Sequence, residues 1–489
     1  MRQILTPRAS SQVFKLCIST RFYSSENVSS DLKTPLLQHL RERNLIASVT
    51  NESVEKLLET QKVALYCGAD PSAQSLHVGN LIPLIILLHF RARGHTSISL
   101  VGGATGIVGD PSGRTTERAQ MEADTRANNI SKIRGQLETF LERGQQYAST
   151  HGYPEEGFGP RVSTNNADWW REMGMLHFLG TYGRHIRVGQ MLARDSVKNR
   201  MESEQGIGFN EFTYQILQAY DFWHLHNNFG CRIQVGGNDQ WGNITAGIDL
   251  ISRLRSEVLK NEKAQAQKTS SLPKVSKDSD PAYGITVPLL TTPSGEKFGK
   301  SAGNAVWIDP DMTKPYELYQ YFVKAPDSVV ENYLKMFTFI SLEKISVIMA
   351  THAENESLRY AQRILAKEVT DFVHGAGTGE NSAIMSEILF GNAESYDADT
   401  ILAAFSSQNL VQQIPKGELI DNPWRSVLAS ATGKSKSEIS RLLKGKGVYN
   451  GLQRIAITEA NIEESDFIEG KLLLVRVGKA SYYIIEAIN

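Results

Sequence analysis

Residues 63–106 read VALYCGADPSAQSLHVGNLIPLIILLHFRARGHTSISLVGGATG. The run 63–67 is short and apolar and stops at Gly68, as a buried strand does. DPSAQS is a turn. Residues 78–93 have helical length and end at Gly94, a residue suited to cap a helix. Residues 98–101 form a second strand, followed by GGATG. Strand, loop, helix, strand is a βαβ unit, which calls for a parallel sheet. Downstream, 212–227 reads as a helix, 231–235 as a strand running into Gly-Gly, and a helix follows from Gln240. The expected class is α/β, with a Rossmann-like parallel sheet over 31–290.

The chain has 489 residues, too many for one ordinary core. Residues 291–392 are expected to form a mobile loop and a helical domain, 393–420 a linker with some helix, and 421–489 a small α+β domain with strands near 471–477 and 481–485. Two stretches, 147–164 and 260–281, read as insertions. The second is rich in Lys and Ser and has the composition of a loop. Net charge is −1, so any nucleic-acid contact must come from local basic patches. One such patch is Lys434, Lys436, Arg441, Lys444 and Lys446. Three scattered cysteines, Cys17, Cys67 and Cys231, form neither a disulfide framework nor a zinc cluster. No apolar run is long enough to span a bilayer.

The first stretch differs from the rest. It carries Arg2, Arg8, Lys15 and Arg21, has no acidic residue before Glu26, and is rich in Ser and Thr. That composition is expected of an organellar transit peptide. Residues 1–23 are assigned to it, with a mature chain starting near Ser24 in the mitochondrial matrix.

Two short motifs carry chemistry. HVGN (77–80) lies between a strand and a helix, where backbone N–H groups and a partial positive charge favour phosphate. KFGKS (297–301) puts two lysines around an aromatic-Gly hinge, near Thr291, Pro293 and Gly295. Such a loop can close on a triphosphate and stabilise a pyrophosphate leaving group. Alone, the first motif reads more simply as a turn and the second as a solvated basic loop.

In this order the pair resembles the class I aminoacyl-tRNA synthetases. Four further blocks, YCGADPSAQSLHVGN, LVGGATGIVGDPSGR, EFTYQILQAYDF and QVGGNDQWGNI, resemble tyrosyl-tRNA synthetases in the family's order. The resemblance runs from about residue 35 to the C-terminus, outside the two insertions. It implies that tyrosine is activated with ATP, accompanied by Mg²⁺, and transferred to tRNA(Tyr) by a homodimer. It implies that Tyr66 and Asp221 bind the substrate phenol. Tyr214, Asp110 and Gln218 would hold the α-ammonium, and Gln234 would position the carboxylate. Gly68, Asp70, His77, Gly79, Gly237, Asp239 and Gln240 would surround ATP and the adenylate, with Lys297, Lys300 and Ser301 on the mobile loop. Arg114 and Arg118 match basic positions that serve pyrophosphate. SKSEISRLLKGKGVYNG resembles an S4-type RNA-binding module, which makes the basic patch a tRNA contact. No dedicated metal ligand is assigned.

The chain departs from the class pattern at Asn80, where a second His is common. An Asn amide can donate a hydrogen bond but carries no charge. Trp169 and Trp241 read as packing residues. Three competitors share parts of the pattern. A tryptophan-activating relative would not need Tyr66 with Asp221. A small-molecule nucleotidyltransferase would lack the S4-like tail. A structured-RNA or splicing cofactor would use the insertions, whose composition fits ordinary loops better.

Overall fold

The computed structural model describes residues 28–488, except 115, 118–119, 205, 267–280, 291–304, 391–394, 409 and 479–480. The transit segment 1–23, Arg118, the KFGKS motif and most of the 260–281 stretch lie outside the described residues.

The strands of the large sheet are β1 (Ser48–Val49), β2 (Ala64–Ala69), β3 (Thr96–Val101), β4 (Arg161–Asn165), β5 (Cys231–Gly237) and β6 (Tyr283–Val287). Their spatial order is β1-β6-β5-β2-β3-β4, and only the short β1–β6 pair is antiparallel. The chain runs outward from β2 to β3 to β4, then returns to place β5 on the other side of β2. The order therefore reverses between β2 and β5. In open α/β sheets the crevice outside the strand C-termini at such a reversal is where ligands bind.

The helix Leu81–Arg91 connects β2 to β3, and ten of its eleven residues are buried. A helix that is apolar all round needs cover on every side. The sheet covers one side. Leu318, Phe322, Phe337 and Phe339 of the following helical region share its core and cover another. Pro83 is tolerated because it falls in the first turn, where its missing N–H removes no intrahelical bond.

Arg43 ties the N-terminal helix Leu36–Glu42 to the helical region and is fully buried. It donates to the Asp31 carboxylate at 2.9 Å and to His39 Nε2 at 3.0 Å. It also donates to the carbonyls of Lys335 (3.0 Å), Thr338 (2.8 Å) and Ile340. Burial and then the Arg43 charge hold His39 down to about 2, so it is neutral and able to accept.

Two expectations need correction. The stretch 147–164, expected as an insertion, is built into the core rather than set outside it. Tyr147, Ala148 and Tyr153 are buried in the main core, and the stretch ends in the edge strand β4. Nor is 393–420 a linker. Besides the expected helix, Ala398–Ser406, it holds strand β7 (Val411–Pro415), which belongs to the C-terminal sheet. Strand β7 pairs in parallel with β11 (Ser481–Ile488), in a second sheet ordered β7-β11-β10-β8-β9, where β8 is Val448–Asn450, β9 Ile455–Ala456 and β10 Leu472–Val477. The reason lies in β10. Leu473, Val475 and Val477 point into a core with the helices Trp424–Thr432 and Lys436–Lys444. Leu472 and Leu474 point the opposite way, against Ile401 and Phe405 of the Ala398–Ser406 helix. A strand buried on both faces needs a helix on each.

Among the described residues, no helix is long and apolar enough to cross a membrane.

Candidate functional site

The strand ends at the reversal carry the site. Tyr66, on β2, lies opposite Gln234 on β5, and both are buried. The Tyr66 ring packs against Phe222 at 5.3 Å. Its hydroxyl has no hydrogen-bond partner among the described residues, nor has the amide oxygen assigned to Gln234. Burial, and then the nearby Asp221 charge, push the Tyr66 phenol well above its ordinary range, so it is a neutral donor.

Asp221 and Tyr214 stand seven residues apart on the helix Phe209–Phe229, two turns along one face. Asp221 is buried, which pushes it up to about 7 against the opposing pull of three donors. Those donors are Asn166 Nδ2 on Oδ2 at 2.9 Å, and Trp169 Nε1 and Trp170 Nε1 on Oδ1 at 2.8 and 2.7 Å. Trp169 is thus a polar partner as well as a packing residue, and Asn166 and Trp170 join the site unanticipated. All three follow β4 directly. The polar sequence of β4 gives no strand signal, so its C-terminal end does not stand out as part of a crevice.

A second polar group lies beside the first. The Tyr214 hydroxyl donates to Asp70 Oδ2 at 2.9 Å, and Thr105 Oγ1 donates to Asp70 Oδ1 at 2.7 Å. Burial first, then the charges of Asp70 and Asp110, push Tyr214 well up. Gly102 permits this approach: a Cβ there would lie 1.9 Å from Asp70 Oδ1. Asp110 accepts from Gln240 Nε2 at 2.6 Å and from the Ser112 backbone at 2.9 Å. Gln218 joins the same network through Gln240 (3.3 Å) and Asn243 (3.2 Å). Tyr214, Asp110 and Gln218 are therefore brought together, with Asp70, Gln240 and Asn243 tying them to the strand ends. Gly68 lies at the end of β2, and Gly237 and Asp239 follow at the end of β5.

The HVGN motif forms a reciprocal cap. His77 Nδ1 accepts from the Gly79 N–H at 3.1 Å, and Asn80 Oδ1 accepts from the His77 N–H at 3.0 Å. A neutral His77 then carries its ring proton on Nε2. The amide oxygen of Asn80 accepts within the turn, and its NH₂ is the group that can donate to a ligand. Residues 306–308 run directly beside this motif. Val78 N–H donates to the Val306 carbonyl and Ile308 N–H to the Leu76 carbonyl, each at 3.0 Å. Arg114 sits on the turn after Asp110 and donates to the Thr116 carbonyl at 3.5 Å. Lys297, Lys300, Ser301 and Arg118 lie outside the described residues.

The basic C-terminal helix Lys436–Lys444 is capped by Ser435 and buries Ile439 and Leu443. Lys436, Arg441, Lys444 and Lys446 are left exposed. Lys434 is paired with Glu438 at 2.6 Å.

A family model described as class I tRNA synthetases (W and Y) matches residues 58–391. The mitochondrial tyrosine–tRNA ligase of Saccharomyces cerevisiae is 44% identical over 487 residues, covering 96% of this chain and 93% of that protein. The chain belongs to the tyrosine–tRNA ligase family of class I synthetases. The chloroplastic/mitochondrial ligase of Arabidopsis thaliana is 41% identical to this synthetase, over 91% of this chain and 82% of its own. A crystal structure of a C-terminally truncated mitochondrial tyrosyl-tRNA synthetase from Coccidioides posadasii superposes with a TM-score of 0.63 at 40% identity. It covers 72% of this chain and 92% of its own. As a class I synthetase the protein is an enzyme that uses ATP as substrate.

Proposed function

We propose that this chain activates tyrosine with ATP, giving tyrosyl-adenylate and pyrophosphate, and then transfers the tyrosyl group to the 3′ end of tRNA(Tyr) in the mitochondrial matrix. The observation that carries the substrate assignment is the polar balance at Tyr66 and Asp221. An ionised carboxylate offers roughly four acceptor sites. At Asp221 two on Oδ1 and one on Oδ2 are filled. One acceptor remains beside one buried donor that has no partner among the described residues, the Tyr66 hydroxyl. A phenol, which donates once and accepts once, satisfies both. Phenylalanine leaves both unsatisfied, and an indole N–H leaves the donor unsatisfied.

The remaining roles follow the same chemistry. The acceptors Asp110, Tyr214 and Gln218 hold the α-ammonium, and Gln234 positions the carboxylate. Gly68, Asp70, Gly79, Gly237, Asp239 and Gln240 line the ATP and adenylate position. Substrate carboxylate oxygen attacks the α-phosphorus, and the bond to the pyrophosphate oxygen breaks. His77 Nε2, the Asn80 amide, Lys297, Lys300, Ser301, Arg114 and Arg118 stabilise the charge that builds on the phosphates. Mg²⁺ arrives with ATP, held mainly by phosphate and water oxygens. Both oxygens of the nearby Asp70 carboxylate are engaged by Thr105 and Tyr214. The exposed cations Lys436, Arg441, Lys444 and Lys446, with Lys434, contact the tRNA backbone. Charging of mitochondrial tRNA(Tyr) by the chain starting near Ser24 tests this reading. A folded chain that charges no tRNA with tyrosine would overturn it.

The active form is a homodimer built through the catalytic domain. Its support is a run of large apolar side chains exposed between β4 and β5. Leu176 is 86% exposed, Phe209 75% and Met175 70%, with Leu179, Val188 and Met201 also exposed. So many large apolar side chains exposed within one segment are the kind of surface that association covers. Leu176→Asp is expected to shift the protein from dimer to monomer in sedimentation velocity at micromolar concentration. A wild-type monomer, or a variant that dimerises unchanged, would contradict this.

A further inference from the structure

We propose that Trp170 is a positioning residue for tyrosine selection: its indole N–H fixes which edge of the Asp221 carboxylate is presented to the substrate phenol. The proposal rests on the functional reading above.

Two indoles from adjacent residues donate to one oxygen, Trp169 at 2.8 Å and Trp170 at 2.7 Å. One donor would already satisfy Asp221 Oδ1. The second fills its other lone pair, so no acceptor capacity is left on that side. Among the described residues the one donor on Oδ2 is Asn166, itself locked by Thr105 Oγ1 at 2.9 Å and the Ala104 N–H at 2.7 Å. Acceptor capacity is thereby confined to one position, on Oδ2. Rotation about the Asp χ2 is soft, so a carboxylate held only by Asn166 and Trp169 has a wider choice of orientation.

The two indoles are braced differently. Trp169 stacks on His224, with centroids 4.2 Å apart and planes 16° from parallel. Trp170 packs edge-on against Tyr220 at 4.9 Å and tilted against Phe178 at 5.3 Å. Its ring is held by aromatic contacts that a phenylalanine can partly retain, whereas its N–H has one acceptor, Asp221. Removing the N–H while keeping the ring therefore separates positioning from packing.

The experiment is Trp170→Phe in tyrosine-dependent ATP–pyrophosphate exchange, with ATP and tyrosine varied separately. KM for tyrosine is expected to rise roughly 10-fold, the scale of one hydrogen bond to a charged group, with kcat and KM for ATP within about 2-fold. Discrimination against phenylalanine falls by a similar factor. The acid limb of the tyrosine KM profile moves to higher pH, because a donor that favours the ionised carboxylate is gone. Should Trp170→Phe fold poorly, benzothienylalanine at 170 keeps the bicyclic shape and removes only the N–H, with the same expected result. A tyrosine KM and pH profile identical to wild type in a folded variant would overturn the proposal. So would a parallel loss in kcat, KM for ATP and melting temperature, which marks a packing role. A wild-type chain that fails to activate tyrosine counts instead against the functional reading.

Discussion

Asp221→Asn lowers kcat/KM for tyrosine by on the order of 100-fold or more, while KM for ATP stays within a few-fold. The substitution keeps the size of the side chain and changes its donors and acceptors. The amide oxygen can still take the indoles of Trp169 and Trp170. The amide nitrogen then faces Asn166 Nδ2, which now meets a donor where it had an acceptor 2.9 Å away. The one lone pair left for the substrate phenol disappears as well. A lost hydrogen bond to a charged group is worth about 1.5–3 kcal/mol, and a stranded buried donor costs about 1–3 kcal/mol more. Because HVGN sits on a separate turn, with its own reciprocal cap, ATP binding should feel little of this. Steady-state pyrophosphate exchange measures both constants. A change under 5-fold in the tyrosine constant would remove Asp221 from the pocket.

Arg43→Met destabilises the fold by about 3–5 kcal/mol, the range for breaking a buried ion pair from one side. The methionine fills part of the volume but leaves the buried Asp31 carboxylate without its guanidinium partner, 2.9 Å away. It also strips donors from the carbonyls of Lys335, Thr338 and Ile340 around the end of the Asp327–Phe337 helix. Helix ends carry carbonyls that the helix itself cannot satisfy, and here a distant arginine satisfies them. Urea unfolding followed by far-UV circular dichroism gives the difference, provided the transition is two-state. A loss below 1 kcal/mol would show that water replaces these bonds at no net cost. The groups Arg43 bonds belong to the N-terminal segment and the helical region, not to the β2–β5 crevice, so tyrosine KM should hold.

The parallel sheet was legible because its central strands, ALYCGA and CRIQVGG, are mostly apolar and run into glycine near their C-terminal ends. Strand β4 was not. Its sequence RVSTN is polar and lies at the sheet edge, with no residue fully buried, so it offers neither an apolar run nor an alternating pattern. The consequence spread to the site. Asn166, Trp169 and Trp170 follow that strand, and without it the NNADWW stretch has no place in the ligand crevice. The residues drawn from the family blocks, Tyr66, Tyr214, Gln218, Asp110 and Asp221, fall at or beside the β2–β5 reversal. Their internal wiring was not readable. Asp70, assigned to the ATP position, also takes the Tyr214 hydroxyl, a contact across 144 residues. The boundary of the C-terminal domain was misplaced for a similar reason: β7, VQQIP, is too polar and short to announce itself. What identifies it is the two-sided burial of its partners.

The central claim is that the Tyr66–Asp221 pair selects a phenol. The most direct measurement is ATP–pyrophosphate exchange by the chain starting near Ser24, with tyrosine, phenylalanine and tryptophan supplied separately. Tyrosine should support exchange, while phenylalanine and tryptophan at the same concentrations support almost none. Exchange with tryptophan equal to or above that with tyrosine would contradict the account.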